Sequence, residues 1–256
     1  MSAAGGLPPW LSEEAHAQLR RDPWFGQVSA PVAQALLSLA TLRMLQPGER
    51  LFLRGDAPDG LYAVLSGGVR ISGVTEAGKE AVLALMESPG WFGEIAVFDG
   101  LPRTHDAVAD GPTRLLHVPH GALLAWLARE PVGWRELGVL MSLRLRLSFI
   151  NLEDMALLPA DARLVRRLLW LVEGSPRQAA DGSCVLPISQ GELGSMLSLS
   201  RQTTNQVLMD LQQRGVLRLS YGRIEVLDRL GLLDAARLSS AEARILKHWR
   251  LEPPAN

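Results

Sequence analysis

The spacing of apolar residues changes twice along the chain and divides it into three zones. The first, residues 1–40, reads as short helices: Leu36, Leu37, Leu39 and Ala40 follow Pro31, a residue suited to a first helical turn. Residues 1–9 are expected to fray. From about 42 to 120, short apolar runs alternate with glycine turns at Gly48, Gly55, Gly60, Gly67-Gly68, Gly73, Gly78, Gly90, Gly93, Gly100 and Gly111. The runs include Leu61–Leu65, Val69–Ile71, Ala81–Leu85 and Thr113–Val118. Turns every 8–12 residues or so predict an antiparallel sandwich or barrel, here a compact β-roll.

From about 133 the glycines thin out and a long helix is predicted. Leu140, Leu143, Leu147, Ile150, Asp154 and Leu157 alternate three- and four-residue steps, an a/d seam with Asp154 as its exception. Met141, Leu145, Phe149 and Leu152 form a second stripe on an adjacent face. One apolar face can pack on the β-roll. The other needs a partner, and the same helix of a second copy is the simplest; the alternative is a helix buried wholly within its own chain. Pro159 interrupts this helix and makes residues 157–160 the hinge candidate. A further helix, Asp161–Glu173, is expected to follow, and then a polar loop or β-turn over Ser175–Ser183.

Residues 189–219 carry the most specific local signal. Ser189 and Glu192 form a capping box for a helix over Gln190–Leu197. Ser198-Leu199-Ser200 makes a short turn. Ser200 then caps a second helix from Arg201 to about Arg214, ended by Gly215. Two short helices about a tight turn make a helix-turn-helix, whose second helix enters the major groove of DNA with its first residues on base edges. Those residues are Arg201, Gln202, Thr203, Asn205 and Gln206. Arg pairs bidentately with guanine, and Gln or Asn with adenine. Val216–Leu219 and Ile224–Leu227, joined through Tyr221-Gly222-Arg223, read as a two-stranded wing. The bland alternative is an αα-hairpin used only for packing.

Charge sharpens this picture. Residues 1–154 hold 13 Lys/Arg against 17 Asp/Glu, and residues 155–256 hold 13 against 10, so a mildly basic half follows an acidic one. A single cysteine, Cys184, allows no intramolecular disulfide and cannot by itself ligate an iron–sulfur cluster. Without an 18-residue apolar run or a secretory start, a cytoplasmic protein with no membrane partner is expected. The enzyme signatures His-Glu-x-x-His, Gly-x-Ser-x-Gly and the P-loop lysine motif do not occur in the sequence, so no enzyme is expected.

Over residues 30–228 the arrangement resembles the CRP/FNR superfamily of bacterial regulators. The likeness rests on Gly48-Glu49-Arg50-Leu51-Phe52, Gly55-Asp56, the run Leu61–Ile71, and the helix-turn-helix 189–208. It implies an α+β fold: an N-terminal antiparallel, jelly-roll-like β-roll sensor with its preceding helices (1–132), a central dimerisation helix (133–158), a winged helix-turn-helix (159–228) and a helical extension (229–256). It also implies a homodimer that binds double-stranded DNA and meets RNA polymerase. Two-fold symmetry predicts a near-palindromic operator with half-sites about one helical turn apart. Arg201, Gln202 and Gln206 match the family's base-reading positions. The cAMP-responsive type usually has Glu where Gln202 stands and Arg where Gln206 stands, so a shift of preference toward adenine is expected.

The stretch Trp91–Thr104 is similar to the family's phosphate-binding cassette. The resemblance implies that the amides of Gly93, Glu94, Ile95 and Ala96 face an anion, that Arg103 supplies the fixed charge, that Glu94 accepts a ribose hydroxyl and that Thr104 donates to a phosphate oxygen. Ser148, with Phe149 beside it, falls where the purine is contacted. His105-Asp106 departs from the pattern, since small or apolar residues usually follow the arginine. Three alternatives therefore stay open: a cyclic nucleotide such as cAMP, another effector, or no small ligand, with Glu94 paired to Arg103. Trp91 borders the cassette and could touch a ligand. His105, His117 and His120 could ligate a metal or haem, but scattered β-roll histidines usually serve structure, so no metal is expected. A cyclic-nucleotide module that regulates an attached enzyme or channel is a further alternative, although such a module needs no winged helix.

Overall fold

The computed structural model describes residues 8–74, 80–175 and 183–249. The expected fraying of residues 1–9 and the loop Ser175–Ser183 fall mostly outside these residues, as does the Gly78 turn. The chain falls into two units, divided between Arg146 and Leu147.

The first unit begins with helices α1 (Glu13–Leu19) and α2 (Ala30–Leu39), each entered through a serine in extended conformation. Strands β1 (Thr41–Leu45), β2 (Arg50–Phe52), β3 (Gly60–Ser66), β4 (Gly68–Val74), β5 (Glu80–Glu87) and β6 (Trp91–Phe92) follow. Helix α3 (Ile95–Asp99) then precedes β7 (Asp106–Ala109) and β8 (Thr113–Pro119). They make two four-stranded antiparallel sheets, ordered β1-β8-β3-β6 and β2-β7-β4-β5, which is the expected β-roll. Two cores fill the unit. Leu45, Leu51, Tyr62, Val64, Phe92 and Leu115 lie between the sheets. Leu61, Trp91, Leu116 and Val118 face outward onto the helices. Tyr62 and Leu61, or Leu115 and Leu116, go to opposite faces because successive strand residues alternate.

Helix α4 (His120–Leu127) was not predicted from the sequence; it buries Leu123 and Leu127 against α2 and β3. Helix α5 (Val132–Leu157) is the predicted long helix and spans the division between the units. Its two stripes differ in exposure. Leu140, Ile150 and Asp154 of the seam are buried, whereas Leu157 is exposed. The second stripe is open: Leu145, Phe149 and Leu152 are 53%, 60% and 65% exposed.

The second unit continues through Pro159, which starts α6 (Ala160–Gly174). Strand β9 (Cys184–Leu186), α7 (Gln190–Met196), α8 (Arg201–Gln213), β10 (Leu217–Ser220) and β11 (Arg223–Val226) complete a winged helix-turn-helix, its sheet ordered β10-β11-β9. Strand β9, another element the sequence reading lacked, buries Cys184 and Leu186. Helices α9 (Arg229–Ala236) and α10 (Ser240–Trp249) close the described chain. Leu232, Ala236 and Leu246 join Leu164, Leu168, Leu193, Leu208 and Ile224 in one core, so both helices pack on the winged fold. Each such leucine contributes on the order of 2 kcal/mol when fully buried. Among the described residues no helix is long and apolar enough to cross a membrane.

Candidate functional site

Each unit presents a cluster of polar groups that bears on function. In the first, the chain leaves β6 through Gly93 at φ +98°. A Cβ there would lie 2.9 Å from the Gly60 carbonyl oxygen and 3.1 Å from the Arg103 guanidinium, so glycine is required. Glu94 caps α3, Ile95 is half-exposed and Ala96 is buried. First-turn amides such as those of Ile95 and Ala96 have no acceptor inside a helix.

Arg103, in the loop after α3, is 5% exposed. It donates to the carbonyl oxygens of Gly60 (2.6 Å) and Gly93 (3.2 Å) and pairs with the Asp59 carboxylate at 2.5 Å. Its guanidinium also lies 4.3 Å over the Phe52 ring centroid. The Tyr62 hydroxyl donates to the second Asp59 oxygen, and His117 stacks on Tyr62. Burial pushes the Asp59 carboxyl up, but hydrogen bonds from Arg103 and Tyr62, with the charges of Arg103 and His117, outweigh it and hold it below its ordinary value.

Of the cassette residues, Gly93 and Arg103 meet directly, whereas Glu94 and Thr104 take partners the sequence did not suggest. The ion pair of Glu94 with Arg103 does not form. Glu94 instead faces Arg144 of α5 at 3.5 Å, and Arg144 also donates to the Trp91 carbonyl. Thr104 is exposed, with its hydroxyl 2.9 Å from His105 Nδ1. The His105 imidazole is held below its usual range by burial and by the Arg54 charge. Trp91 is fully buried, stacked on Phe25 and edge-on to Trp24. Ser148 is an exposed residue of α5 in the second unit. Sequence reasoning missed Asp59, Tyr62 and Phe52. Tyr62 and Phe52 lay in plain view in the apolar runs of β3 and β2, and Asp59 as an acid placed just before Gly60.

In the second unit the capping box forms as expected. The Glu192 amide donates to Ser189 Oγ at 3.1 Å, and the Ser189 amide donates to Glu192 Oε2 at 2.9 Å. Ser200 Oγ accepts from the Thr203 amide at 3.1 Å and lies 2.8 Å from Thr203 Oγ1. Thr204 is buried against Gly194, where a Cβ would lie 2.6 Å from its hydroxyl oxygen, so α7 and α8 cross at close range. Ser189, Ser200 and Thr203 are therefore engaged in building the helix starts. The side chains of Arg201, Gln202 and Gln206 are exposed and have no hydrogen-bond partner among the described residues. Asn205 is exposed too but donates to Gln190 Oε1 of α7 at 3.1 Å. At the wing tip Tyr221 is fully exposed beside Gly222, and Arg218 pairs with Glu225 across the strands.

Two family models match the chain: the cyclic nucleotide-binding domain over residues 42–130 and the Crp-like helix-turn-helix domain over residues 162–235. The chain is 30% identical over 204 residues to the CRP-like cAMP-activated global transcriptional regulator of Mycobacterium tuberculosis, covering 77% of this chain and 91% of that protein. It is 31% identical over 208 residues to the cyclic AMP receptor protein of Thermus thermophilus, covering 81% and 94%. Among solved structures, a CRP/FNR-family transcriptional regulator of Thermus thermophilus superposes with a TM-score of 0.61 at 29% identity, over 77% of this chain and 99% of that one. FixK2 of Bradyrhizobium japonicum shares the fold with a TM-score of 0.69 at 21% identity, over 78% and 99%.

Proposed function

The chain belongs to the CRP/FNR family of DNA-binding transcription regulators, and we propose that it works as a homodimer whose β-roll takes a cyclic nucleotide, cAMP foremost, as allosteric effector. The observation that carries its DNA-binding part is at the start of α8, where the exposed side chains of Arg201, Gln202 and Gln206 present donors and acceptors outward. Arg201 suits a guanine edge, and the two glutamines suit adenine. Asn205 acts beside them, and Ser189, Ser200 and Thr203 fix the helix starts at the DNA.

The open stripe Leu145–Phe149–Leu152 supports dimerisation, because a row of exposed apolar side chains on one helix favours burial against its own copy. We read residues 1–132 as sensor, 133–158 as dimer helix, 159–228 as DNA-binding domain and 229–256 as its extension. In the sensor, Arg103 would meet the cyclic phosphate together with the amides from Gly93 to Ala96 and the Thr104 hydroxyl. Glu94 would take the ribose hydroxyl, and Ser148 the purine. Effector binding would favour one arrangement of α5 and re-aim the two recognition helices about residues 157–160. The dimer would work in the cytoplasm, on a near-palindromic operator and with RNA polymerase.

A second reading, with a different effector or none, draws on the Asp59–Arg103 pair, since that guanidinium is already neutralised. Calorimetric titration with cAMP and cGMP, with and without DNA, separates the two. The proposal expects cAMP binding that is lost in Arg103→Ala and that tightens DNA affinity. Absence of heat with either nucleotide, or binding unaffected by Arg103→Ala, contradicts it.

A further inference from the structure

Asp154 breaks the apolar seam of α5 yet is buried, and α10 lies beyond residue 235, where the helix-turn-helix match ends. Both features meet at one side chain. Arg166 of α6 donates through Nη1 to Asp154 Oδ1 at 2.7 Å and to the Glu242 carboxylate. Its Nε donates to the Ala236 carbonyl at 3.2 Å and its Nη2 to the Arg237 carbonyl at 3.3 Å. These two carbonyls end α9, where Arg237 turns the chain at φ +47°. Glu242 is fixed from its other side: the Ser239 amide donates to its Oε2 at 2.6 Å, and its own amide donates to Ser239 Oγ at 3.3 Å. One planar guanidinium therefore ties the last turns of α5 to α6, α9 and α10, a task that its fork of donors allows and an ammonium does not.

The electrostatics tie both carboxylates to the one cation between them. Burial pushes the Asp154 carboxyl up, and the Glu242 charge pushes the same way against the pull of Arg166. Loss of the arginine contact would leave a buried carboxylate uncompensated. The clamp also sits at a mechanically important place, since Asp154 precedes the Pro159 break and Arg166 follows it. Helix α6 shares Leu164, Leu168 and Val172 with Leu208 and Leu211 of α8 in one core. The direction in which α6 leaves the end of α5 therefore decides where α8 points relative to those last turns.

We infer that Arg166 is a positioning residue for DNA binding and that α10, through Glu242, is one jaw of a clamp fixing the α5–α6 corner. The inference rests on reading residues 157–160 as the hinge, and it gives the C-terminal extension a task. The test uses the full chain and the variants Glu242→Gln, Asp154→Asn and Arg166→Lys, each close in shape to the original side chain. Hydrogen exchange is followed at residues 157–163 and across α7 and α8, alongside affinity for a duplex selected by the wild-type protein. The expected result is exchange at the corner about tenfold faster in each variant, wild-type rates in α7 and α8, and DNA affinity reduced severalfold. Unchanged corner rates, faster exchange spread evenly from α6 to α8, or a loosened corner with wild-type DNA affinity overturns the inference. If the wild-type protein selects no duplex, the DNA-binding reading fails, while the exchange rates still decide the clamp.

Discussion

Asp59 holds the buried guanidinium of Arg103 at 2.5 Å, on the side chain we propose meets the cyclic phosphate. An anionic effector must share or displace that carboxylate. Asp59→Asn keeps the shape and removes the competing charge. Its affinity for cAMP is expected to rise about tenfold, equivalent to about 1.4 kcal/mol, in calorimetric titration. Weaker binding than wild type would mean that Asp59 orients the arginine and does not oppose the ligand.

Arg201→Ala should cost roughly 1–3 kcal/mol in specific DNA binding and relax discrimination at one base pair of each half-site. Binding to a panel of operators carrying single base changes checks this. Ser200→Ala differs in kind: it removes the oxygen that receives the Thr203 amide and should lower stability by about 1 kcal/mol with base preferences unchanged.

Leu152 is the most exposed member of the α5 stripe. Leu152→Glu places a charge where the dimer reading expects apolar contact, and sedimentation velocity should show the dimer shifting to monomer with melting temperature little changed. A dimer that survives this change would move the interface elsewhere.

Asp22 accepts from the Trp24 and Phe25 amides at 3.0 and 2.8 Å and so shapes the turn that carries both rings onto Trp91. Burial pushes its carboxyl up to about 6 against those two bonds and the Arg144 charge. A carboxyl raised in the folded state favours folding below its unfolded value, and that contribution is lost as pH rises through about 6. Asp22→Asn keeps an acceptor without the charge. Its melting temperature relative to wild type should therefore climb between pH 4 and pH 7, by the equivalent of up to about 3 kcal/mol. A difference that stays flat over this range would contradict the assignment.

Much of the architecture was legible because the period of the apolar pattern changes where the fold changes. Glycine-punctuated runs gave the β-roll, three- and four-residue steps gave α5, and Ser189-x-x-Glu192 with Ser200 gave α7 and α8 to within a residue. Helix α4 was hidden because its sequence follows β8 directly after Pro119 and its apolar residues lie all round. Strand β9 was too short to show a period. The cassette was legible as a segment but not as a network. Arg103 takes a partner 44 residues away and Glu94 one 50 residues on, and no local spacing reports pairings made by sheet topology. The same holds for Asp154, whose place in an apolar seam made sense only once Arg166 and Glu242 stood beside it.

The most direct test of the account is selection of duplexes from a randomised pool by the purified protein, with and without cAMP. The account predicts enrichment of a near-palindromic site with half-sites about one helical turn apart, strengthened by cAMP and lost in Arg201→Ala. A pool that stays random in both conditions, or enrichment that Arg201→Ala leaves intact, would contradict it.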